Sequence, residues 1–142
     1  MKHSPEIERF MREGIAALER GDLAAVGEMT SRHEGVIGIG TDPGEYARGY
    51  DQVIGLMGDS TPEAELELHV RLDEVHGYEE GDIGWADCTG SFERHGQTVP
   101  VRITLVARRE DGVWRDVQTH SSIAVPNEHM FDELFQTSAR AR

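Results

Sequence analysis

The 142-residue chain holds one cysteine, Cys88, so no disulfide can close within it and no cysteine pair is present for a zinc ribbon. Its seven histidines, at positions 3, 33, 69, 76, 95, 120 and 129, never stand as His-x-His or His-x-x-x-His on one element. That spacing argues against a zinc site. Glycines 38 and 40 lack the third glycine of a dinucleotide loop, and no Gly-x-Ser-x-Gly elbow occurs, so no cofactor is expected. No apolar run approaches the roughly 18 residues that cross a membrane, and Met1 to Phe10 carry no apolar signal core. A reduced, cytoplasmic setting is the expectation. Basic residues are also scarce, 14 against 27 acidic ones, giving a formal charge of −13. Nucleic acid and anionic membranes both ask for a positive surface, so neither is expected as a partner.

Hydrophobic residues make up 37% of the chain and are spread throughout, enough for a real core in one domain spanning residues 1–142. Ser4, Pro5, Glu6 and Glu8 supply a helix cap, a proline suited to the first helical position, and acids that complement the dipole. Ile7, Phe10, Met11, Ile15 and Leu18 follow at helical spacing, predicting a helix over about residues 5–20. Asp22 can cap a second, short helix through Met29. Val36 to Ile39 reads as a short strand, Gly40 to Glu45 as a turn, and Tyr46 to Met57 as a helix.

From Ala64 onward Leu66, Leu68, Val70 and Leu72 alternate with charged residues, a half-buried strand that is expected to turn between Gly77 and Asp82. A strand from about Ile83 to Arg94 follows. Next come Val99–Ala107 and Val113–Val125, joined by Glu110-Asp-Gly112 as a hairpin. Asn127 can start a last helix through Met130, Phe131, Leu134 and Phe135. Helices first and long antiparallel strands later make an α+β pattern. On strict alternation Trp114, Asp116, Gln118, His120 and Ser122 share one face of the last strand, and Arg102 and Thr104 one face of its neighbour. So many polar groups on one face suggest a pocket, because burying them unpaired costs about 1–3 kcal/mol each.

The element order, with Gly40-Thr-Asp-Pro-x-Glu45, Gly84-Trp85, Val101-Arg-x-Thr104 and Trp114-x-x-Val-Gln-x-His-x-Ser122 running into Val125-Pro-Asn-Glu128, resembles the SnoaL-like branch of the nuclear transport factor 2-like superfamily. The resemblance implies a strongly curved antiparallel sheet forming a cone, N-terminal helices packed on it, a short C-terminal helix, and a homodimer through the outer sheet face. Ketosteroid isomerase, polyketide cyclases, limonene epoxide hydrolase and scytalone dehydratase share that architecture, and their chemistries differ. It also implies that Arg102, Thr104, Trp85, Ser122 and His120 line the cavity.

His120 is the candidate general acid or base, since an imidazole titrates near neutrality. Its ordinary role would be a backbone-bonded structural histidine. Asp42 is a candidate base at the cone mouth, although Asp before Pro commonly just shapes a turn. Arg102 either binds a substrate carboxylate or pairs with Asp87, Asp116 or Asp42. Gln118 and Tyr46 join the ligand-binding set. These residues suit a cone that holds a largely apolar small molecule with a polar or acidic end. The alternative is a cofactor-independent lyase, isomerase or cyclase using His120, and a third possibility is an assembly module with a vestigial pocket.

Overall fold

Ser4 starts the first helix: its Oγ accepts a hydrogen bond from the Ile7 N–H at 3.3 Å, with Pro5 next and Glu6 and Glu8 in the first turn. The computed structural model of the chain describes residues 1–59 and 69–131. In it α1 spans Pro5–Glu19, a left-handed Gly21 reverses the chain, and Asp22 caps α2, Leu23–Met29, by accepting from the Ala25 N–H at 3.0 Å.

Seven strands form one curved sheet: β1 Lys2–His3, β2 Ile37–Ile39, β3 Tyr46–Arg48, β4 His69–Glu80, β5 Ile83–Arg94, β6 Gln97–Glu110 and β7 Val113–Ile123. Their spatial order is β1-β4-β5-β6-β7-β2-β3, and every pair is antiparallel except β2 with β7. A third helix, α3 at Tyr50–Asp59, follows β3, and a helical turn begins at residues 127–131. The fold is therefore the expected α+β arrangement with a short C-terminal helix. Of the three tight turns that join the long strands, two place two successive residues at positive φ: His95 with Gly96, and Asp111 with Gly112. That is the backbone a two-residue hairpin needs.

Two local expectations need correction. Tyr46 does not open a helix: Ala47 is buried while Tyr46 and Arg48 are exposed, a period of two, and the segment pairs with β2 before α3 begins at Tyr50. Gly77 does not begin a turn either, because β4 runs on to Glu80. A Cβ at Gly77 would lie 2.8 Å from both the Glu8 nitrogen and the Ser4 oxygen, so this glycine admits the start of α1 against the sheet. The expected strand start at 64–68 and the helical residues Leu134 and Phe135 lie outside the described residues.

The core lies between α1 and the inner sheet face. Ile7, Phe10 and Met11 meet Val75, Ala86, Cys88, Val101, Ile103, Leu105, Ala107 and Trp114. On β6 the apolar residues Val101, Ile103, Leu105 and Ala107 alternate strictly and take this inner face, which sends Arg102 and Thr104 to the other side.

The decisive irregularity is in β7. Val106 pairs with Gln118 but Ala107 pairs with Asp116, so Val117 is an extra residue, a β-bulge. The bulge shifts the alternation by one. Asp116 lies opposite the inward Ala107, and Thr119 and Ser121 lie opposite the inward Leu105 and Ile103. Gln118, His120 and Ser122 pair with Val106, Thr104 and Arg102 and share their outer face.

Candidate functional site

Under α1, the inner sheet face opens into a cavity of two connected parts. The outer part, about 330 Å³, is walled by Ile15, Leu18, Leu56, Met57, Val70, Phe92 and Ile103, with Gly40, Thr41, Glu19 and Glu45 among its polar lining. A deeper chamber of about 50 Å³ shares Ile15, Leu18, Met57, Ile103 and Thr119 with it and continues to Phe10, Met11, Val26, Met29, Leu105 and Asp116. Such a largely apolar hollow with a few convergent polar groups has the character of a small-molecule site.

Asp116 is the one titratable side chain lining the deep chamber. Thr119 donates from Oγ1 to its Oδ2 at 2.7 Å, and the Gln118 backbone N–H donates to its Oδ1 at 3.1 Å. Both donors come from the bulged segment. Burial pushes the carboxyl up from an ordinary 3.8 to about 6, and these two hydrogen bonds pull it the other way. No cation pairs with Asp116 among the described residues. At the mouth, Glu19 pairs with His69 at 3.1 Å, and Glu45 accepts from the Asp42 N–H at 3.0 Å.

The residues singled out from sequence fall elsewhere. Arg102, Thr104 and His120 are exposed on the outer face, with Gln118, Ser122 and Trp85 on the same side. The expectation that they line the cavity is corrected by the β6 alternation and the β7 bulge. Trp85 stacks on Tyr78, ring centroids 6.3 Å apart, because its neighbours Gly84 and Ala86 take the inner face. Gln118 reaches the site only through its backbone. Asp42 sits in the mouth loop, its Oδ1 accepting from the Gly44 N–H at 2.8 Å, so it shapes the turn that presents Thr41 and Glu45. Tyr46 is 52% exposed and accepts from the Arg48 guanidinium at 3.1 Å.

Asp116 and Thr119 are the cavity-lining pair that the sequence does not reveal as a pair. Asp116 stands on the polar face counted from Trp114, but strict alternation places Thr119 on the other. The available signal was on β6, whose apolar half marks the covered face more clearly than the mixed β7 does. Cys88, buried against α1, has its thiol pushed up to about 11 by burial and is unreactive packing. Among the described residues no three His, Cys, Asp or Glu gather as a metal site, and no helix is long and apolar enough to cross a membrane.

A curved, unclosed sheet with helices on one face and an apolar hollow between them defines the nuclear transport factor 2-like architecture. The SnoaL-like domain matches residues 7–126, and the chain belongs to that family. It is similar in fold to a nuclear transport factor 2-like protein of unknown function from Pseudomonas putida KT2440 (TM-score 0.76, 15% identity, 87% of this chain and 88% of that one). A protein with a cystatin-like fold from Caulobacter vibrioides matches with a TM-score of 0.71 and 17% identity over 92% of this chain and 95% of the other. A third, from Streptomyces avermitilis, carries a provisional dehydratase name within the nuclear transport factor 2-like family. It matches with a TM-score of 0.64 and 22% identity over 79% of this chain and 88% of that one. No curated protein matches the chain.

Proposed function

We propose that the chain binds a small, largely apolar molecule in the cavity under α1, with the polar end of the ligand against Asp116 and Thr119. One observation carries this reading: the hollow is walled by aliphatic, Met and Phe side chains, and at its inner end Asp116 is held by the Thr119 hydroxyl as the one titratable group of that chamber. An acidic ligand end is disfavoured, because no Lys, Arg or His is among the lining residues of either part. The test is a titration of the protein with benzyl alcohol followed by backbone amide NMR. Saturable shifts at Ile103, Leu105 and Thr119 support the reading, and shifts confined to surface loops defeat it.

A second reading is favoured by the Asp116 carboxyl itself, whose value of about 6 suits proton transfer near neutrality. In that reading Asp116, not His120, takes a proton from a carbon beside a carbonyl and returns it elsewhere in the same molecule. Equally, it takes that proton and hands it to a hydroxyl on the next carbon, which leaves as water as the carbon–carbon double bond forms, the reaction class named for the Streptomyces relative. Deuterium exchange into a panel of small ketones, lost in Asp116→Asn, would establish it.

The outer sheet face is assigned to a second copy of the chain. It exposes Arg102, Thr104 and His120 beside the stacked Tyr78 and Trp85, and Arg102 makes no ion pair among the described residues. Light scattering on the purified protein checks this: a dimer that Trp85→Glu splits supports it, and a native monomer refutes it.

A further inference from the structure

The charge lining the cavity is of one sign. Asp116 closes the inner end, Glu19 and Glu45 stand at the mouth, and the lining residues include no base. The side chains that α1, α2, α3 and β6 turn to this chamber are apolar, Phe10, Met11, Met29, Met57, Ile103 and Leu105 among them, and the hydroxyl of Thr30, just after α2, donates to the Val26 carbonyl. At the mouth Glu19 pairs with His69, which lines neither part of the cavity. Asp116 thus has two hydrogen-bond donors but no counter-ion, in surroundings where an uncompensated charge is costly.

Proteins seldom keep such a carboxylate without a use for it. A ligand acid would add a second negative charge a few ångströms away, in a medium that screens poorly. A neutral hydroxyl would satisfy a lone pair and leave the charge. A cation would compensate it directly, and the acidic mouth would favour its entry over that of an anion. The aliphatic walls in turn require the rest of the ligand to be apolar.

Resting on the reading that this cavity binds a small molecule, we infer that the preferred ligand is an apolar amine whose ammonium group pairs with the Asp116 carboxylate. The raised proton affinity of that carboxyl fits: proton and ammonium compete for the same uncompensated oxygen pair. Amine affinity therefore falls as Asp116 becomes protonated on the acid side of about 6.

The experiment compares benzylamine, benzyl alcohol and benzoate by titration calorimetry on the native protein, at about pH 8 and about pH 5, where the amine stays protonated. At the higher pH benzylamine should bind about tenfold or more tighter than benzyl alcohol, and benzoate weakest. Toward the lower pH the advantage over the alcohol should shrink to about threefold or less, and Asp116→Asn should erase it at both pH values while alcohol binding persists. Equal or weaker amine binding with intact alcohol binding overturns the inference but spares the cavity reading. An amine preference that Asp116→Asn leaves untouched reflects the general negative charge of the protein and also overturns it. Binding of none of the three overturns both.

Discussion

Thr119 and Asp116 stand three residues apart on β7 yet face the same side of the sheet, joined by a 2.7 Å hydrogen bond from the threonine Oγ1 to the carboxylate Oδ2. In a regular strand an odd separation would put them on opposite faces. The extra Val117 removes that half-turn, and the freed Gln118 N–H takes up the other carboxylate oxygen. One inserted residue therefore sets both the direction and the hydrogen bonding of the acid in the cavity.

Removing the threonine hydroxyl should raise the titration midpoint of Asp116. The Thr119 bond favours the ionised form, so Thr119→Val is expected to move the midpoint up from about 6 by about one pH unit. Carbon NMR of the Asp116 carboxyl reads this directly. A midpoint that stays or falls contradicts the arrangement.

The same acid makes stability depend on pH in a definite direction. Its folded value, about 6, lies above the ordinary 3.8, so the folded state holds the proton more tightly. Its contribution to stability is then full below pH 3.8 and is lost as pH rises through about 6. Between those limits the native protein should lose on the order of 2 kcal/mol relative to Asp116→Asn. Denaturant melts of the two proteins at several pH values give the difference, and parallel curves would refute the assignment.

The seating of α1 depends on the missing side chain at Gly77. A Cβ there meets two backbone atoms, Glu8 N and Ser4 O, which cannot swing aside as a side chain tip can. Gly77→Ala should cost about 1–3 kcal/mol, read as a lowered denaturation midpoint. The neighbouring Gly81, with nothing within reach of an added Cβ, serves as the contrast, its cost arising from positive φ alone.

Much of this architecture is legible in the sequence because local chemistry and tertiary structure agree there. Ser4 with Pro5 begins α1, Asp22 begins α2, and Asp111-Gly112 turns the hairpin as their side chains dictate. The family follows from the pattern of residues along the later strands. The site was less legible, because a bulge is a property of a strand pair. Val117 carries no glycine or proline to mark it, and only the register against Val106 and Ala107 exposes the shift. Arg102 and His120 carry the conspicuous chemistry, whereas the apolar residues Val101, Ile103 and Leu105 decide which face is covered.

Those two outer-face residues should be dispensable for ligand binding. Arg102→Ala and His120→Ala are expected to change benzyl alcohol affinity by less than about twofold. Leu18→Trp, which adds bulk at a residue lining both parts of the cavity, should abolish it. Calorimetric titration of the three variants separates the faces.

The most direct test is where a bound ligand sits. With saturating benzyl alcohol, intermolecular nuclear Overhauser contacts should run from the aromatic protons to Met11, Met57, Ile103 and Leu105, with the hydroxyl end nearest Asp116 and Thr119. Contacts to Thr104, Val106 or Trp85 on the opposite face, with none to the residues under α1, would contradict the account.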